Sequence, residues 1–567
     1  MIDFDLTRWQ EELSVAESFR DQHLTHWDDM VDRMTGPDFA GHGDDMGDPE
    51  NFVHQYIALV LPRLVYDNPR VRVTSRTPEQ QLIFQSQLQA AVNSWCRLTN
   101  VRDTLVRVAT DMMIAFGVTM VVNEPSMGMR VPDSEQPWIP RLYRIDPHDF
   151  VIDPQSTHVE DARYMAHSYR CDIDDLLARA DTEDGWDADA IENVASDKDS
   201  NDARRLSGRE GPDRRQVTVY EIWIPEWNLG EELIDAELDT NLHNGSIVTI
   251  IRGQANSDGE TKYGFARDPQ PYYGPSTGPY QIYGCYNVPG DPYPLSPLVP
   301  LLPQISDLND HLRSLTHSAS TYKRIIATDS RNQKLANDIR DRDDLSVVLV
   351  DGIDPSQIVP IELGGITAQQ VQYSSISQDR LDRVSGIHDA MRGNITGTAT
   401  ATEINVAESA ASLRMSHLKR EFQARTAAAM RASAWYMFHD GKIQITIGDE
   451  IPYDPVFTGG SGVGLFDDMV IEVDAYSMSR VSEVQQQKRA IELLQVIGGL
   501  SQQMATAPWV DWRQVLQSVG DSMNVPELGS MMDPSKLLQA QQQAMALQGA
   551  GEQNGAAPQP SPNGNRR

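Results

Sequence analysis

Between Gly397 and Gly441 the chain runs without a single glycine or proline, and no other stretch limits the possible folds as much. It is made mostly of good helix formers, so one helix of about forty residues is expected. Thr400 followed by Glu403 carries the spacing of a capping box at its start. Ile404, Ala407, Ala411, Met415, Leu418 and Phe422 recur every three or four residues and fall on one stripe. A helix of this length outruns the usual globular size and needs an extended partner, such as a neighbouring subunit. The polar loop ahead of it, MRGNITG, would then be held at the end of a rigid rod.

A chain of 567 residues is too long for one growing core, so several subdomains are expected. No apolar run approaches the roughly 18–20 residues of a membrane span. The start, MIDFDLTRWQEEL, is acidic and amphipathic and lacks the order of a signal peptide. Cys96, Cys171 and Cys285 are far apart, which speaks for a reducing compartment and against a disulfide framework. A net charge of -34 disfavours tight nonspecific binding to nucleic acid, which needs clustered cations. The same charge suits a wall past which DNA slides without sticking.

In chain order, residues 5–34 read as one long amphipathic helix and 50–66 as a second, kinked at Pro62. NPRVRVTSR alternates like a strand; helices at 78–98 and 101–116 and a strand after Gly117 follow. Residues 140–155 read as short strands with Asp-Pro turns, and SYRCDIDDLLARA as a short helix. The acidic, apolar-poor 181–215 reads as a mobile insertion or exposed loop. Strands resume at 217–227 and 246–253, and the proline- and tyrosine-rich 268–303 reads as an ordered extended connector.

A helix is expected over QISDLNDHLRSLTHSASTYKRI and another over 368–391, with Val371, Ile376, Leu381, Val384 and Ile387 along it. Between them, a compact unit is expected with strands at SVVLVDG and QIVPIEL. KIQITIG and 469–477 read as strands, 479–505, 510–520 and 534–549 as helices, and the final low-complexity tail as disordered.

Motifs of chemistry are scarce. GxxxxGK[ST] is missing, GGSGVG stops short of GxGxxG, and Ser461 does not complete GxSxG. DTEDGWDADAIE fails the spacing of a calcium loop. His23 and His26 could share a metal, but no third ligand suggests itself. No catalytic residue, metal or cofactor is therefore expected, and the chain reads as a structural machine part.

Several stretches, in order, resemble the portal proteins of tailed bacteriophages. FVHQYIALVLPRLVYDNPRVRV is similar to their early helix and strand, and VRDTLVRVATDMMIAFGVTMVV to the helix–Gly–strand that follows. LYRIDPHDFVIDPQSTHVEDARYMAH resembles the segment with their "DP" turn. PLSPLVPLLPQISDLNDHLRSL and MRGNITGTATATEINVAE resemble the start of the stem and the tunnel loop. The likeness runs over most of residues 50–480.

The resemblance implies an α+β, predominantly helical subunit of a ring-shaped homo-dodecamer with wing, stem, clip and crown. Residues 1–291 with 441–477 would form the wing, 292–322 and 370–391 the two stem helices, and 323–369 the clip. Residues 392–400 would be the tunnel loop, 401–440 a long kinked wing helix, 478–550 the crown helices and 551–567 a disordered tail. Arg392, Asn394, Thr396 and Thr398 would touch the DNA backbone in the channel. Lys323, Arg324, Arg331, Lys334, Arg340 and Arg342 would meet partners at the clip.

Those partners would be the terminase large subunit, a tail adaptor, and major capsid and scaffold proteins, besides double-stranded DNA and other copies of the chain. No membrane is implied; the place would be the capsid vertex of the virion, after synthesis in the host cytoplasm. The alternatives are a ring-forming head–tail adaptor or scaffold protein, or a nuclease using carboxylate-bound metal.

Overall fold

The computed structural model describes residues 5–36, 48–76, 78–125, 138–182, 185–194, 216–229, 243–253, 261–327, 359–363, 365–386, 401–448, 456–460, 465–474 and 478. The chain divides into two units, Met1–Met478 and Ser479–Arg567, and everything described belongs to the first. Helix and strand are mixed, with about half of the described residues helical.

The N-terminal segment is two helices, α1 (Leu6–His23) and α2 (Trp27–Thr35), where one was expected. The break follows from two separate cores. Trp9, Leu13 and Ala16 of α1 pack into one, whereas Trp27, Met30 and Val31 of α2 join another, and the turn at 24–26 lets each stripe find its own. After α3 (Phe52–Leu64), strand β1 (Val71–Ser75) leads to α4 (Pro78–Leu98) and α5 (Val101–Ile114). Pro62 sits in the last turn of α3, which stops two residues later. Strand β2 begins at Gly117, where a Cβ would meet the Val108 carbonyl oxygen at 2.5 Å, so only glycine lets α5 and the strand approach this closely.

Strands β2 (Gly117–Pro125), β3 (Trp138–Ile145), β4 (Phe150–Ile152) and β5 (Met165–Asp172) come next. The expected helix over 168–180 starts only at Ile173, because its first residues extend β5. Both Asp-Pro turns are held by their aspartates. Asp146 accepts from the His148 amide at 3.1 Å, capping the turn that opens at Pro147. Asp153, deeply buried, accepts from the Gln155 amide and from Arg163 Nε at 2.9 and 2.7 Å. Burial alone would raise its carboxyl, but the Arg163 guanidinium and the two backbone amides outweigh that and hold it below the usual range.

Helices α6 (Ile173–Thr182) and α7 (Ala188–Val194) lie within and beside the stretch expected to be an exposed insertion. Part of that stretch packs: Ile191 and Val194 of α7 are buried with Ile173 and Leu176 of α6, while 195–215 lie outside the described residues. Strands β6 (Gln216–Ile224), β7 (His243–Arg252) and β8 (Tyr263–Tyr273) complete an antiparallel five-stranded sheet in the order β4-β5-β6-β7-β8. Along β6 the faces alternate with period two. Tyr220, Ile222 and Ile224 pack under α1, and Val217 and Val219 pack against α6 and α7. Strand β9 (Tyr280–Tyr283) joins β2 and β3 in a second, three-stranded sheet, so the extended connector contains strands.

His167 of β5 is buried, with Nδ1 2.8 Å from the Tyr280 hydroxyl and its ring stacked on Tyr169 at 5.6 Å. Burial pushes its pKa down, against the opposing pull of Glu221 and Asp149. The unfolded chain therefore takes up this proton first, and stability is lost as pH falls below about 6.5, by at most about 1.4 kcal/mol per pH unit. The difference in urea stability between wild type and His167→Gln should shrink from pH 7.5 to 5.5. Parallel pH profiles would contradict this.

Helix α8 (Leu302–Ser320), strands β10 (Lys323–Ala327) and β11 (Val359–Leu363) and helix α9 (Ala368–Ser385) form one continuous excursion of the chain. Lys323, Arg324 and Ile325, expected to end a helix, open β10, which pairs antiparallel with β11. The expected strand at SVVLVDG lies outside the described residues. The expected helix to Met391 stops at Ser385, because Gly386 takes the left-handed conformation (φ 74) and its N–H closes on the Asp382 carbonyl.

The long helix α10 spans Ala401–His439; Thr400 of the expected capping box lies outside the described residues. From Leu418 to Thr426 it buries one stripe, and from Ala432 to Phe438 it is buried all round, so its C-terminal end is a core element. Strands β12 (Gln444–Thr446), β13 (Val456–Thr458) and β14 (Met469–Val473) follow; β14 pairs with β1 and β12 with β13. The helices expected after 478 and the expected disordered tail lie outside the described residues.

Candidate functional site

Helices α8 and α9 of this excursion bury few side chains. On α8 only Leu302, Ile305, Leu308 and Asn309 are buried, all in its first half, and on α9 only Ser377 and Leu381. The two helices touch through polar groups as much as through carbon. The His311 ring meets the Tyr373 ring at 4.8 Å and its Nε2 lies 2.9 Å from the Gln370 carbonyl. Thr367 and Gln370 form a capping box at the start of α9. Asn309 Nδ2 and Ser377 Oγ, both buried, find no hydrogen-bond partner among the described residues.

Apolar side chains on α9 point elsewhere. Val371, Ile376 and Val384, expected along this helix, are 54%, 39% and 50% exposed, Leu381 is buried, and Ile387 lies outside the described residues. Ile366, just ahead of the helix, is 50% exposed. Single exposed hydrophobics are ordinary on a surface, and here three fall on one poorly buried helix.

The base of the excursion is fastened by charge. Asp48, nearly buried, accepts from Arg33 Nη1 at 2.9 Å and from Arg313 Nη2 at 2.8 Å. Arg33 also reaches Ser306 Oγ at 3.2 Å, and the Glu50 amide donates to Asn309 Oδ1 at 3.1 Å. Ser306, Asn309 and Arg313 are three and four residues apart, so one face of α8 is held by the 48–50 segment and α2. Sequence reading missed this clasp; the i, i+3, i+7 spacing of three polar residues was its only visible sign.

Among the residues expected to act, Lys323 and Arg324 stand in β10, in register with Leu363 and Glu362 of β11. Arg331, Lys334, Arg340 and Arg342 lie outside the described residues, as do Arg392, Asn394, Thr396 and Thr398. His23 and His26, considered as a metal pair, are separated by the α1–α2 break. Both ring nitrogens of His23 are engaged, Nδ1 with the Phe19 carbonyl at 2.9 Å and Nε2 with Asp291 Oδ2 at 2.7 Å. Among the described residues, no helix is long and apolar enough to cross a membrane.

No curated protein matches the chain. Residues 61–225, from the last turn of α3 through β6, match the family model described as the Phage SU10 portal protein. This match, over the segment that builds most of both larger sheets, supports a phage portal protein.

Proposed function

We propose that twelve copies of this chain close into a ring at one capsid vertex and form the channel through which DNA is packaged and ejected. The excursion α8–β10–β11–α9 is then the stem with its clip, and the clip docks the terminase large subunit and later a tail adaptor. Lys323, Arg324, Arg331, Lys334, Arg340 and Arg342 are the proposed clip contacts. Arg392, Asn394, Thr396 and Thr398 are proposed to touch passing DNA, each weakly, so that repetition around the ring and not any one contact guides the duplex. The subunit is a conduit and holds no catalytic centre.

The observation that carries this reading is the exposed apolar set Val371, Ile376 and Val384 on a helix pair with little core. Such a surface is covered when a head-to-tail contact between copies repeats and closes. Electron microscopy of the purified protein is the test: rings with a central hole are expected, and a compact monomer under all conditions would refute the reading. Removing residues 394–398 should leave rings intact and block DNA packaging; normal packaging would refute the channel assignment of that segment.

A further inference from the structure

Helix α9 ends in an unusual way. The last four carbonyls of a helix lack partners within it. Here the Asp382 carbonyl accepts from the Gly386 amide at 3.0 Å, while the Arg383 and Val384 carbonyls both accept from Arg414 Nη1 at 3.0 Å. Arg414 belongs to a different helix, α10, thirty residues away from Val384. Its cation also lies at the negative end of the α9 dipole.

Two further features show that this contact is specific to its residues. Gly386 has φ 74, a conformation that favours glycine, and a Cβ there would come within 2.9 Å of Cδ and Nη1 of Arg414, so a side chain would push the guanidinium aside. Beneath the contact lies a cavity lined by Tyr56, Tyr286 and Pro297 on one side and by the Val384–Gly386 turn with Arg414 and Met415 on the other. Among the described residues, a polar bridge beside an open pocket therefore joins the end of α9 to α10.

We propose that Arg414 is a positioning residue: it latches the end of α9 to α10 and so fixes how these two helices sit against each other. The latch stands on its own geometry; its value for DNA passage rests on the channel reading above. A hydrogen-bonded latch over a cavity can open and close with little repacking, which a carbon seam could not do.

The test uses full-length Arg414→Ala, Arg414→Lys and Gly386→Ala proteins. Hydrogen exchange of peptides over the last turn of α9 should become about five- to tenfold faster in Arg414→Ala and Gly386→Ala, with the rest of the chain unchanged. Arg414→Lys should recover part of the protection, since an ammonium can still donate to one carbonyl. Wild-type exchange in that turn, or a rise spread evenly over the chain, would overturn the latch. In complementation, Arg414→Ala should assemble rings as wild type does and yield fewer DNA-filled heads. Faster local exchange with a normal yield of filled heads would overturn the positioning role. Should the wild type itself fill no heads, the channel reading falls, and the exchange measurement still decides the latch.

Discussion

Val371→Glu combined with Ile376→Glu should leave the subunit folded and abolish the ring. Both side chains are exposed in the isolated chain, so each substitution should change its stability by no more than about 0.5 kcal/mol. In a closed ring the same positions would be covered. Burying an apolar side chain there is worth about 2 kcal/mol, and an unpaired carboxylate would cost several more. The loss recurs at every contact around the circle, so closure should fail entirely. Light scattering should report monomers for the double variant and a large assembly for wild type. Rings that persist at wild-type yield would mean that these two side chains of α9 meet solvent in the assembly, and the stem assignment would have to move.

Phe422→Ala should do the opposite: damage the subunit itself. Phe422 is 1% exposed and packs on Tyr283 at a ring distance of 5.2 Å, at the point where α10 enters the main core. Removing a fully buried ring costs about 3–5 kcal/mol, from lost transfer energy and the cavity left behind. Arg420→Ala, exposed two residues earlier, is the control and should stay within about 0.5 kcal/mol. Urea unfolding followed by tryptophan fluorescence distinguishes them; equal midpoints would show that the helix is not the spine of this core.

How much of this could be read from the residues differs from element to element. The long helix was legible because nothing between Gly397 and Gly441 can interrupt it, and Leu418 and Phe422 of its expected stripe are buried. The α1–α2 break was not, since a continuous 3.6-residue pattern cannot say that its two halves serve different cores. Helix α7 was hidden by its acidic composition, although Trp186, Ile191 and Val194 are enough to seat it. The end of α9 was overrun because a single glycine inside a helical pattern is often tolerated, and what stops the helix is its left-handed turn beneath Arg414.

Charges that meet across long stretches of chain leave no local trace. Asp48 and Arg313 are 265 residues apart in sequence, and neither residue alone advertises the other. The exposed apolar residues of α9 mislead for the reverse reason. Their apolar character suggests burial, and Val371, Ile376 and Val384 do not receive it within one chain.

The Asp48 clasp has a consequence for how the excursion behaves as a mechanical part. Two guanidiniums in direct contact with one nearly buried carboxylate are screened far less by salt than exposed charges separated by more than about 10 Å at 0.1 M. The foot of α8 is thus fastened by charges that should hold at ionic strengths where exposed ion pairs have already faded.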